Sequence, residues 1–141
     1  MSKKITIAVD AMGGDNSPEK VINGISIHFK NSQNIFYKIF GNSEKIKKII
    51  PSSLPTNSYE LTHTEQEVKG TDSALSAAKR GKDTSMWLTI NSVKNKESDI
   101  AISAGNTGAL FVIAKLNLKM IENIDKPALS GLWPNKNGTN V

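Results

Sequence analysis

The chain has 141 residues, 38% hydrophobic and 22% charged, with no cysteine. Disulfides, cysteine zinc sites and a thiolate nucleophile are therefore excluded, and this length suits one modest core. Eighteen basic against thirteen acidic residues give a net charge of +5. That excess suits an acidic partner, but with seventeen of the eighteen basic residues lysine, a coding bias is the simpler reading. With one arginine and no basic stripe interleaved with aromatics, it does not suit nucleic acid.

The basic start is followed by too short an apolar run for a secretory signal. The most apolar stretch, 109–114, is broken by Lys115 and is far too short to span a bilayer. Residues 5–9 are a β-branched run that predicts a strand, entering the tight loop Asp10-Ala11-Met12-Gly13-Gly14-Asp15. Pro18 and Glu19 then start a helix with Val21, Ile22, Ile25 and Phe29 on one face. Residues 35–40 predict a second strand closed by Gly41. Ser43 is expected to cap a short helix that turns Ile46, Ile49 and Ile50 inward and ends at Pro51.

Residues 59–63 predict a third strand. An Ala-rich helix is expected from Thr71 or Asp72 to Lys79-Arg80-Gly81, and another, capped by Asp83 or Thr84, carries Met86, Trp87, Ile90 and Val93. Residues 99–102 predict a fourth strand running into Ser103-Ala104-Gly105-Asn106-Thr107-Gly108. An apolar helix follows to about residue 121, and a last strand is expected at 128–132. That helix is apolar around most of its circumference, so a partner or further chain is expected to cover it.

Strands alternating with helices predict an α/β fold with a parallel sheet covered on both faces. Both Gly-rich loops fall at strand-to-helix junctions, where ligands sit in such sheets. Glycine there lets backbone N–H groups approach an anion, and the helix N-terminus adds positive potential. The same pattern also serves a plain tight turn. Neither loop is a P-loop or a dinucleotide fingerprint. Ser103 is one glycine short of a nucleophile elbow, and neither His28 nor His63 sits in a motif that would supply its base. Asp10 and Asp15 suit a base or a metal ligand, or a strand end and a helix cap.

The segments 7–15 with Pro18, Thr84-Ser85-Met86, 102–110 and Asp125-Lys126-Pro127-Ala128-Leu129 occur in an order and spacing that resemble the bacterial phosphate acyltransferases of phospholipid synthesis. The resemblance implies attack of phosphate on the thioester of an acyl-carrier protein, giving acyl phosphate for a membrane acyltransferase. It also implies a Rossmann-like fold of the isocitrate and isopropylmalate dehydrogenase type. Further implications are a cytoplasmic, loosely membrane-associated homodimer and no cofactor or metal. Family chains are more than twice this length, so residues 1–141 are expected to be the N-terminal part of one domain, without an internal boundary. Together, residues and resemblance point to Asp10, Asp15 and Asn106 as catalytic. Gly13, Gly14, Ser85, Ser103, Gly105, Thr107 and Gly108 are expected to bind substrate, and Lys79, Arg80 and Lys82 to steer the acidic carrier. An inactive remnant or a non-catalytic phosphate-binding module is the other reading.

Overall fold

The computed structural model describes residues 4–32, 34–136 and 138–140. Four strands, β1 (Ile5–Asp10), β2 (Ile35–Gly41), β3 (Tyr59–His63) and β4 (Ile100–Ser103), form one parallel sheet in the order β3-β2-β1-β4. Asp10 therefore pairs with Phe40 on one side and Ser103 on the other. The chain first builds outward from β1 through β2 to β3, then crosses back to place β4 on the opposite side. The connections that leave β1 and β4 lead to helices on opposite faces of the sheet, so the order reverses at this pair of strands.

Strand alternation divides the core. Ile7 and Val9 of β1, with Tyr37 and Ile39 of β2, receive Ile22 and Ile25 from α1 (Glu19–Asn31). Each of these isoleucines contributes about 1.5–3 kcal/mol by its burial. The predicted apolar face of α1 is the face that packs. On the other side of the sheet, α4 (Ser85–Lys94) crosses β1, β2 and β4. Its Met86 and Ile90 join Ala77 of α3 (Ala74–Lys79) and Ala109 and Ile113 of α5 (Thr107–Asn117) in a second core.

Several boundaries differ from expectation. Asn42, not Ser43, caps α2 (Ser43–Lys47), its side chain accepting from the Lys45 amide. Ser73, not Thr71 or Asp72, caps α3, because the Asp72 carboxylate is engaged by Arg80. Neighbouring Asn, Ser, Thr and Asp are all competent caps, so sequence alone does not choose among them. Thr84 is the observed cap of α4. Helix α5 stops at Asn117, four residues short of the expected end, with the Asn117 amide donating to the Ile113 carbonyl. Residues 128–132 form no strand, and among the described residues none pairs with them. A small hairpin of β5 (Trp133–Asn135) and β6 (Gly138–Asn140) follows instead. Leu116 on α5 is 63% exposed, so the side chains packed against α3 and α4 cover only part of that helix. Among the described residues, no helix is long and apolar enough to cross a membrane.

Candidate functional site

β1 and β4 end side by side, and their last residues are joined. The Ser103 hydroxyl donates to Asp10 Oδ2 at 2.7 Å and accepts from the Gly105 amide at 3.1 Å. The Met12 amide donates to Asp10 Oδ1 at 3.2 Å. Asp10 is only 1% exposed. Burial raises its pKa above the usual carboxylate value, and the surrounding donors only partly offset this. Ser85 also lowers the Asp10 pKa, yet its buried hydroxyl has no partner in hydrogen-bond geometry among the described residues. Its effect is a nearby dipole more than a formed bond.

The glycines explain how the two loops come so close. A Cβ on Gly13 would lie 2.6 Å from Asp10 Oδ2, 2.8 Å from Ser103 Oγ and 2.9 Å from the Gly105 nitrogen. Gly14 adopts φ +90°, and a Cβ there would meet the Ala104 carbonyl oxygen at 2.5 Å. Gly105 approaches Gly13 from the other loop, its ideal Cβ position 3.2 Å from the Gly13 Cα. Only residues without side chains let the 11–17 and 103–106 loops stack in this way.

Outside this stack lies a polar cleft of about 500 Å³. Gly14, Asp15, Asn16 and Ser17 form one wall, Ala104, Gly105 and Asn106 a second, and residues 67–70 a third. Lys20 and Lys69 bring two ammonium groups to it, Asp15 and Glu67 two carboxylates. The Lys69 backbone amide donates to Asp72 Oδ2 at 2.7 Å, whereas neither lysine's ammonium group has a hydrogen-bond partner among the described residues; Lys69 also contributes to lowering the Asp72 pKa.

The third wall is stitched at both ends. Arg80 grips Asp72 with bonds of 2.6 and 2.7 Å and donates to the Glu67 carbonyl at 3.0 Å. That hydrogen-bonded guanidinium holds the Asp72 carboxyl below the usual range. Asn106 donates to the carbonyls of Gly70, at 3.1 Å, and Asp72, at 2.8 Å. Its Oδ1 accepts from the Ala109 amide as the N-cap of α5. One amide thus starts a helix and pins a loop.

The structure brings Asp10, Gly13, Gly14, Ser103 and Gly105 together, with Ser85 beneath them. Of these, only Gly14 and Gly105 line the cleft, together with Asp15 and Asn106. Asp10, Ser103 and Ser85 stand behind the glycine wall, and Thr107 and Gly108 are exposed on the first turn of α5. His63 lies apart, bonded to Ser43 and facing Glu65, and His28 bonds Tyr37. Among the described residues no group of three or more His, Cys, Asp or Glu is placed to hold a metal. The sequence reading missed Lys20, Lys69 and the 67–70 wall. The signal available was Lys69-Gly70-Thr71-Asp72, a polar glycine loop after a strand.

Comparison with known proteins adds a family to this geometry. The family model described as "Fatty acid synthesis protein" matches residues 5–141. A phosphate acyltransferase of Pelagibacter ubique (strain HTCC1062) is 69% identical over all of this chain and 42% of its own length. Phosphate acyltransferases of Parvibaculum lavamentivorans and Bradyrhizobium diazoefficiens are 42% and 38% identical, again over all of this chain and 40% of theirs. The chain thus spans about two fifths of the length of these relatives.

Proposed function

The chain belongs to the fatty acid synthesis protein family, and from that premise we propose that it forms the phosphate-handling part of a phosphate acyltransferase, which turns acyl-[acyl-carrier protein] and inorganic phosphate into acyl phosphate. The carrying observation is the polar cleft where the β1 and β4 loops stack, with Lys20 and Lys69 facing into it. The strand order β3-β2-β1-β4, with its crevice at the reversal point, supports reading the sheet as Rossmann-like, of the isocitrate dehydrogenase type. On this reading residues 1–141 are the front of one domain.

The chemistry requires little covalent help from the protein. A phosphate oxygen attacks the thioester carbonyl carbon, the tetrahedral oxyanion collapses, and the carrier's sulfur leaves. Starting from hydrogen phosphate, the proton of the nucleophile ends on that sulfur, so atoms and charge balance. What the site must supply is a held anion, donors for the oxyanion and a proton relay. Lys20 and Lys69, with the loop residues Gly14 and Asn106 that line the cleft beside them, suit the first two tasks. Asp15, a carboxylate lining the cleft, suits the relay. Asp10 and Asn106 act through the loops they hold, as do Ser85 and Ser103.

The carrier is acidic, and Arg80 is already committed to Asp72, so Lys79 and Lys82, both exposed, are the cations of that region left to steer it. A homodimer in the cytoplasm, delivering acyl phosphate to a membrane acyltransferase, is the setting this reading expects. Its test is to complete this chain with the remaining part of the Pelagibacter relative and follow the acyl-carrier thioester. Phosphate-dependent loss of thioester with matching acyl phosphate formation is expected. Loss that ignores phosphate removes the reading.

A further inference from the structure

Beside the polar cleft runs a second cavity of about 380 Å³, apolar where the first is polar. Its volume lies within the range of about 300–1,000 Å³ typical of small-molecule sites. One wall is α1, through Val21, Gly24 and Ile25. The floor and far wall are Ile7 and Val9 of β1 and Ile102 of β4. Ile102 is 49% exposed because α1 covers β1 and β2 but stops short of β4.

The two cavities are continuous. Lys20 and Ala104 line both of them. From that junction the groove follows α1 away from the cleft, past Gly24 to His28, a run of about 12 Å at 1.5 Å per residue. Lys20, Gly24 and His28 recur every four residues and so form one stripe of the helix. A glycine inside a helix costs about 1 kcal/mol relative to alanine. A Cβ at Gly24 would meet no atom within 4 Å, so this position borders open space that a large side chain could occupy. At the far end His28 Nδ1 and the Tyr37 hydroxyl bond each other at 2.8 Å, so neither needs a ligand as partner.

We propose that this groove is the acyl-chain site: a fatty acyl group lies between α1 and Ile102, with its carbonyl at the Lys20–Ala104 junction and phosphate in the polar cleft. A polar head pocket with Lys20 and Lys69 in its walls, opening into an apolar channel, matches an acyl phosphate, one ligand with a charged end and a hydrocarbon tail. The inference rests on the phosphate acyltransferase reading and adds to it where the hydrocarbon goes. A further segment of a longer chain packing into the groove is the competing occupant.

The probe is a series of alkyl phosphonates, from ethyl to dodecyl, bound to the chain completed with the relative's remaining part and measured by calorimetry. Affinity is expected to rise roughly fourfold for each methylene that enters the groove. Gly24→Phe, which fills the groove from the helix side, should flatten that rise to less than twofold and leave ethyl phosphonate binding in place. Ile102→Thr, on the exposed opposite wall, should lower the rise without depending on the helix. No chain-length dependence in the parent overturns the proposal and means the groove is filled by protein. So does a dependence that both variants leave intact, or a loss that falls equally on ethyl phosphonate. In each of those cases phosphate-dependent acyl transfer by the parent keeps the cleft reading alive. Chain-length dependence without any acyl transfer leaves the groove standing and removes the phosphate acyltransferase reading.

Discussion

Ser103 donates a 2.7 Å hydrogen bond to Asp10 across 93 residues of sequence, tying the ends of β1 and β4 at the back of the cleft. The bond lies under the glycine stack, so the two loops and the buried carboxylate form one unit. Disturbing any member should move the others.

Burial gives Asp10 a pH signature. Its folded pKa is raised, so the folded state favours the protonated acid more than the unfolded chain does. The stability this contributes is fully present below the unfolded pKa and is lost as pH rises through the folded pKa. Asp10→Asn removes that dependence and keeps one of the two oxygens that accept from Ser103 and Met12, so the lost bond adds an offset that does not vary with pH. The melting temperature of the wild-type chain relative to Asp10→Asn should therefore fall as pH rises from acid toward neutral. A constant difference across that range contradicts a raised pKa at Asp10.

Gly14→Ala places a methyl group against the Ala104 carbonyl at a backbone conformation with φ +90°. Strain of that kind costs about 1–3 kcal/mol. Thermal unfolding should show that loss, whereas Gly81→Ala, also at positive φ but in open space, should lose less because no atom opposes its Cβ. Equal losses at the two positions would mean that contact between the loops adds nothing.

The Arg80–Asp72 pair is partly exposed and lies outside both core clusters, and its role is positional, since ion pairs near the surface contribute little to stability. Arg80→Met frees the 67–70 wall while leaving the core clusters intact. The KM for phosphate should rise by several-fold with little change in melting temperature, and Arg80→Lys should restore only part, because one ammonium cannot reproduce the two-pronged grip. A drop in melting temperature with unchanged phosphate KM contradicts this assignment.

Lys20→Ala and Lys69→Ala each remove one of the two cleft cations. Both should weaken phosphate use about tenfold, and the double variant more. Lys79→Glu with Lys82→Glu should instead slow carrier association at low salt and leave the phosphate KM alone. If the cleft and surface lysines give the same pattern, only net charge matters.

The strands were legible because each is a short β-branched run between turn residues, and β3 begins and ends where the pattern predicts. The glycine loops were legible for the same reason, as punctuation after β1 and β4. Cap positions were less so: Asn42 and Ser43, or Asp72 and Ser73, are chemically equal at a helix start, and what decides is where Glu65 and Arg80 stand in space. Asp10 and Ser103 read as site residues from their place at strand ends, but not as a bonded pair behind the cleft. Lys20 and Lys69 carried no local mark. Their convergence depends on the crossover that puts β4 beside β1 and brings the 67–70 loop over it.

If the cleft beside the stacked loops holds phosphate, Gly105→Ala should disturb phosphate use before anything else. The new methyl group would sit about 3.0–3.2 Å from the Met86 methyl, the Gly13 backbone and the Ser103 hydroxyl, close enough to push the loops apart by tenths of an ångström. The measurement is the phosphate dependence of acyl phosphate formation by the completed chain, at saturating acyl-carrier protein. The phosphate KM should rise about tenfold, with the KM for acyl-carrier protein nearly unchanged. An unchanged phosphate KM, or equal rises for both substrates, would contradict it.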